Sequence, residues 1–186
     1  PNKPSNLFDT NQILVTEGLR GVLVDPGSLE VFPAFLSALS KKFAVNGIIQ
    51  IFFSNQDPEV VSSLPLWQRV TKPGLSVYIS QICAASLSHL DAGTTISAIP
   101  DIGEEIPFGE SPALRAIPAH YLHSPGNFHL YDPMAQILYT GKVGTSVMPC
   151  SQNKGFVVKD FNEHIDYMLD FHQRWMPSVE ARDSWL

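Results

Sequence analysis

Three short polar segments hold the side chains of this sequence that could do chemistry. Ser54-Asn55-Gln56-Asp57-Pro58-Glu59-Val60 follows the apolar run Gly47–Phe53. His120-Tyr121-Leu122-His123-Ser124-Pro125-Gly126-Asn127-Phe128-His129 offers three imidazoles. Thr140-Gly141-Lys142-Val143-Gly144-Thr145-Ser146 follows a second β-type run. Carboxylates and imidazoles on neighbouring loops are donors that divalent transition metals accept, so Asp57, Glu59, His120 and His123 form a candidate metal set. Each has a simpler reading beside it. Asp57 suits a helix N-cap, a lone histidine is more often a hydrogen-bonded residue than a ligand, and His129 suits the outward face of a strand. The Gly-Lys-Val-Gly-Thr stretch lacks the G-x-x-x-x-G-K-(S/T) spacing of a phosphate-cradling loop and is discounted as one.

The elements that must position these segments alternate between strand and helix patterns. Gln12–Glu17 and Gly21–Asp25, separated by Gly18-Leu19-Arg20, read as a hairpin closed by Asp25-Pro26-Gly27-Ser28. Leu29–Ala44 has apolar residues at three- and four-residue spacing and reads as a helix, with Pro33 in its first turn and Lys41 and Lys42 in its last. Gly47–Phe53 reads as a strand buried on both faces, which makes strand, helix and strand a βαβ unit. Asp57-Pro58-Glu59 reads as a helix start. Leu75–Ser80, Ile96–Ile99, Leu114–Ile117, Asn127–Tyr131 and Gln136–Thr140 read as strands, Gln81–Leu90 and Phe161–Trp175 as helices. Polar residues at the ends of buried strands are where open α/β sheets place their ligands.

Taken in order, the three segments resemble the metal loops of the flavodiiron proteins and, more closely, of the oxygen-binding di-iron proteins, both in the metallo-β-lactamase superfamily. Asn55-Gln56-Asp57-Pro58-Glu59 resembles the loop written H-x-(E/D)-P-D. His120-Tyr121-Leu122-His123-Ser124-Pro125-Gly126-Asn127-Phe128 resembles the second ligand loop, in which the His before Ser-Pro binds iron. Ile137-Leu138-Tyr139-Thr140-Gly141-Lys142-Val143-Gly144 resembles L-(F/Y)-(S/T)-G-D-(I/L)-G, which carries the bridging aspartate. Asn11–Pro26 and Phe171–Ser178 also fit the family. The resemblance implies an α/β (α+β) chain folded as an αββα sandwich, residues 1–186 forming one domain that is part of a longer chain and incomplete at one or both ends. It implies a metal site on the rim between two sheets.

The chain departs from the family at the positions that matter most. Asn55 replaces the leading His, Glu59 replaces Asp, and Lys142 stands where the bridging aspartate is expected. An ammonium cannot bridge two cations. The family's last His, in a later loop, has no counterpart up to Leu186. Asp57 and His123 remain, with Glu59 a conservative change. The reading that follows is a non-catalytic sensory or regulatory domain, without a cofactor, whose eroded site is closed by a salt bridge from Lys142 to the carboxylates. The alternative is an iron protein, with one or two metals held by Asp57, Glu59, His123 and His120, that binds or reduces O₂ or NO. A metal-dependent hydrolase comes third, since the H-x-H-x-D-H zinc loop is absent.

Composition bounds these readings. The 186 residues carry 12 basic and 18 acidic side chains, and this excess of acid without a basic cluster argues against nucleic-acid binding. A hydrophobic content of 44% is that of a folded protein, and the charged content of 16% is low enough to point to self-association or a linked output domain covering part of the surface. No apolar run reaches the length of a membrane span. The first residue is Pro1 with no signal-like leader after it. Cys83 and Cys150 form neither metal-ligand spacing nor a disulfide framework, so free thiols in the cytoplasm are expected.

Overall fold

The computed structural model describes residues 10–87, 89–90, 95–149, 157–176 and 178–186. The hairpin is present as β1 (Ile13–Glu17) and β2 (Arg20–Val24), paired antiparallel. The βαβ unit follows: α1 (Phe32–Leu39) leads to β3 (Ile48–Phe52), which runs parallel to β2. Two further crossovers repeat the plan. α2 (Pro58–Val61) and α3 (Leu64–Val70) lead to β4 (Ser76–Ser80), and α4 (Gln81–Leu87) leads to β5 (Thr95–Ile99). The first sheet has the order β1-β2-β3-β4-β5, with β2 to β5 parallel. A second, antiparallel sheet is built from β6 (Glu104–Ile106), β7 (Leu114–Pro118), β8 (Phe128–Asp132) and β9 (Ile137–Tyr139) in chain order. The chain ends in α5 (Phe161–His164), α6 (Asp166–Trp175) and α7 (Val179–Trp185).

The expected helix over Leu29–Ala44 is shorter, Phe32–Leu39, and Lys41 and Lys42 fall beyond its end. Proline explains the late start. Pro33 has no N–H to give to a carbonyl four residues back, so it is tolerated only in a first turn, where it now sits. The expected helix Phe161–Trp175 is interrupted at Ile165. Asp160 caps its start, its carboxylate accepting the N–H groups of Asn162 and Glu163. Sequence reading missed β6, α3 and α7.

Two apolar clusters account for the layering. One lies between the first sheet and helices α1 to α4, with Leu23, Ile51, Phe53, Val77 and Ile79 from the strands against Phe32, Leu64, Trp67 and Leu87. Trp67 is fully buried, with Phe32 and Phe35 edge-on to its ring at 4.9 and 5.5 Å. The other lies between the sheets, with Val22, Val24, Phe52 and Ile99 facing Ile106, Leu114, Ala116, Phe128 and Leu130. The β3 residues alternate between these clusters, which is why Gly47–Phe53 is apolar throughout. Polar ties join the sheets. Gln50 donates to the Pro107 carbonyl at 2.9 Å, and the Glu17 carboxylate accepts the Glu110 N–H and the Ser111 hydroxyl. Among the described residues no helix is long and apolar enough to cross a membrane.

Candidate functional site on the rim between the sheets

The parallel strands β2, β3 and β4 end on the same rim, and each delivers polar residues there: Asp25 after β2, Ser54 and Asn55 after β3, and Ser80 at the end of β4. The second sheet joins them directly, since the Phe128 N–H donates to the Ser54 carbonyl at 2.9 Å. Its loop 119–127 presses down so closely that a Cβ on Gly126 would lie 2.6 Å from Cys83 Sγ and 2.7 Å from Ser80 Oγ. Loop 140–146, after β9, closes the rim from the other side. The three polar segments therefore converge although up to 85 residues separate them in sequence.

At the centre, His123 Nε2 lies 2.7 Å from Asp57 Oδ2, with the imidazole almost fully enclosed. Facing a carboxylate, that nitrogen is the one that donates. The Lys142 ammonium contacts both Asp57 Oδ2 and Glu59 Oε1. The His123 hydrogen bond, with help from Lys142, holds the Asp57 carboxyl down at about 2 despite burial. Asp57 has the extended backbone of an N-cap, but its side chain does not cap α2, because it serves His123 and Lys142 instead. Asn55 Oδ1 accepts the Asp57 N–H at 3.0 Å, and its amide donates to Ser54 Oγ. Asn55 thus shapes the loop from within, fully buried.

Asp57, Glu59, His123, Lys142 and Asn55 come together. His120 does not join them: its Nε2 bonds the Asp101 carbonyl at 2.8 Å, and its ring sits edge-on to Phe128. His129 corrects the outward-facing reading. It is fully buried in β8, a strand flanked on both sides, and burial lowers its pKa to about 4. Cys83 is a buried free thiol whose pKa is raised, first by burial. Cys150 lies outside the described residues.

Sequence reading missed Asp25, taken only as a turn residue. Its carboxylate accepts the Ser54 N–H at 2.8 Å and the Ser54 hydroxyl at 2.6 Å, and desolvation raises its pKa to about 6 against these bonds and the nearby Lys142 charge. Gly141 packs on the same group. With φ +58 and a Cβ that would meet Ser54 Oγ at 2.7 Å, it admits Lys142 to the site by keeping its own side of the loop empty. Gly141→Ala is expected to cost about 1–3 kcal/mol through strain and displacement of Ser54. Urea unfolding checks this, and an unchanged midpoint would contradict the packing described.

The described side chains do not supply what a pair of irons needs. The donors on the page are one imidazole and two carboxylates, already joined by a lysine. No group of three or more His, Cys, Asp or Glu among the described residues is arranged to hold a metal ion. α6 covers this cluster: Phe171 stacks parallel to the His123 ring at 6.1 Å, and Trp175 lies 4.9 Å from it.

Comparison with solved structures gives the same architecture. A structure described as the peroxy diiron species of chemotaxis sensor ODP is 35% identical, with TM-score 0.84 over 95% of this chain and 71% of that one. The apo state of chemotaxis sensor ODP from T. denticola is 36% identical, with TM-score 0.86 over 94% and 70%. A flavo di-iron protein from Thermotoga maritima, 19% identical over 90% of this chain and 41% of its own, has TM-score 0.78 and shares the fold. No curated protein matches. With the family model for the ODP family beta lactamases matching residues 8–186, nearly the whole length, the chain belongs to that family and has its metallo-β-lactamase-like fold.

Proposed function

We propose that this chain is a non-catalytic sensory or regulatory domain on a di-iron fold, with the metal pair replaced by an internal salt bridge. The observation that carries the reading is the Lys142 ammonium in contact with Asp57 and Glu59. Two carboxylates partly withdrawn from water need a counter-charge, and breaking such a pair by removing one partner is costly. In a metal protein the cation supplies it; here Lys142 does. Two relatives described as chemotaxis sensor ODP support the sensory part of the reading. Self-association or a linked output domain would give such a module its readout, with the cytoplasm as its compartment.

Metal content of the full chain, purified without chelator under low oxygen, tests this. The expected result is iron, zinc and manganese each well below one per chain. About two irons per chain would overturn the reading and favour O₂ binding, which the peroxy diiron form of a 35% identical relative makes the second reading.

A further inference from the structure

α6 has no fully buried residue, yet it is tied to the site at several points. Phe171 and Trp175 lie against the His123 ring. His172 Nε2 accepts the Gly144 N–H at 3.0 Å, while its Nδ1 donates to the Met168 carbonyl at 2.8 Å. The Val147 N–H donates to the Tyr167 carbonyl at 2.8 Å. One helix therefore touches the two loops that deliver His123 and Lys142. The His172 ring is fully used in one tautomer: Nδ1–H holds it to its own helix, and Nε2 holds the lysine loop two residues beyond Lys142.

From this arrangement we infer that α6 is the regulatory lever of the site, docked while Lys142 bridges Asp57 and Glu59 and released when the lysine is withdrawn. The inference rests on the proposed salt-bridged site and adds to it a route by which the site's state leaves the rim. Gly141 to Gly144 form a tight loop, in which Val143 and Thr145 N–H groups bond the Thr140 and Lys142 carbonyls. Moving the ammonium outward turns this loop and takes the Gly144 N–H away from His172. The same displacement frees Asp57 from one of its two partners, and with it the His123 ring on which Phe171 and Trp175 rest. Two sites coupled through one two-state element bias each other reciprocally. Displacing α6 must therefore also weaken the hold on Lys142.

Amide hydrogen exchange on the full chain tests the lever, with Lys142→Met, Lys142→Arg, His172→Phe and the Lys142→Met/His172→Phe double variant. In Lys142→Met, protection across residues 169–176 is expected to fall about tenfold while β3, β4 and α1 keep theirs, because sub-global opening is confined to one cooperative unit. Lys142→Arg, which keeps the charge, is expected to retain most of the protection. His172→Phe should loosen Val143 and Thr145 amides in return, and the double variant should be no worse than the worse single one. Unchanged α6 amides in Lys142→Met overturn the lever, as do additive effects or a loss shared equally by α1. Metal content of the wild-type sample separates the two ideas. A metal-loaded protein defeats the proposed function, whereas a metal-free protein with an indifferent α6 defeats the lever alone.

Discussion

The double variant Asn55→His, Lys142→Asp is expected to take up a divalent metal ion and to become dependent on it for stability. Replacing the ammonium with a carboxylate puts Asp57, Glu59 and a third acid around one point, next to the His123 imidazole. Without a cation, three carboxylates partly withdrawn from water repel one another, so the apo variant should unfold at lower denaturant than the wild type. With ferrous, manganous or zinc ion present, five oxygen and nitrogen donors become available, including the new imidazole at position 55. Stabilisation then follows mass action, about 2.7 kcal/mol once free metal exceeds the dissociation constant a hundredfold. Melting temperature measured with and without metal, beside metal content after desalting, gives the answer. Wild type should show no metal-dependent shift. A double variant that neither binds metal nor responds to it would mean that Lys142 and Asn55 are not what keeps metal out.

The single variants divide the argument. Lys142→Met removes the counter-charge and supplies no ligand. It should be less stable than wild type by the amount that a partly buried, unpartnered Asp57 costs, and metal should recover little. Asn55→His alone adds an imidazole while the ammonium still occupies the carboxylates, so metal affinity should stay low. Only the pair changes both the charge at the centre and the number of donors.

How much of this was legible beforehand follows from the range of each interaction. The strands β1 to β5 follow from local apolar runs and turn residues, and the convergence of Asp57, His123 and Lys142 from the ordered resemblance of their loops. His129 was misread because alternation along one strand cannot show that both faces are covered. That depends on β8 lying between β7 and β9 and on what packs over it. Asp25 carried a readable signal, an acid at the carboxyl end of a strand in a parallel sheet, but its hydroxyl and amide partner is Ser54, 29 residues away. The His120 detour to the Asp101 carbonyl has no sequence mark. The role of α6 was the least accessible, since Phe171, His172 and Trp175 read as one amphipathic helix end while their partners belong to other loops.

Asp25 and His129 together predict a flat acid profile that two substitutions should split open. The Asp25 carboxyl titrates near 6 in the fold against 3.8 ordinarily, so the native protein binds the extra proton between those values. By that group alone, stability rises as pH falls, by up to about 3 kcal/mol over the window. The His129 imidazole titrates near 4 against 6.5, so there the unfolded chain binds the extra proton. Stability by that group falls as pH falls, by a similar total of about 3 kcal/mol. Between about 4.5 and 6 the slopes oppose each other, and wild-type stability should change by less than about 0.5 kcal/mol per pH unit. Asp25→Asn leaves the histidine slope exposed, so its stability should drop by about 1.4 kcal/mol for each unit of acidification; His129→Phe leaves the carboxyl slope, with the opposite sign. Below about 3.8 a third group enters: Asp57, held near 2, is protonated in the unfolded chain first, and stability is lost as pH falls toward 2. Urea unfolding at half-unit steps reads all three. Parallel profiles for wild type and the two variants would refute the opposed burial of Asp25 and His129, whereas crossing profiles would place one buried acid and one buried base as counterweights in the same fold.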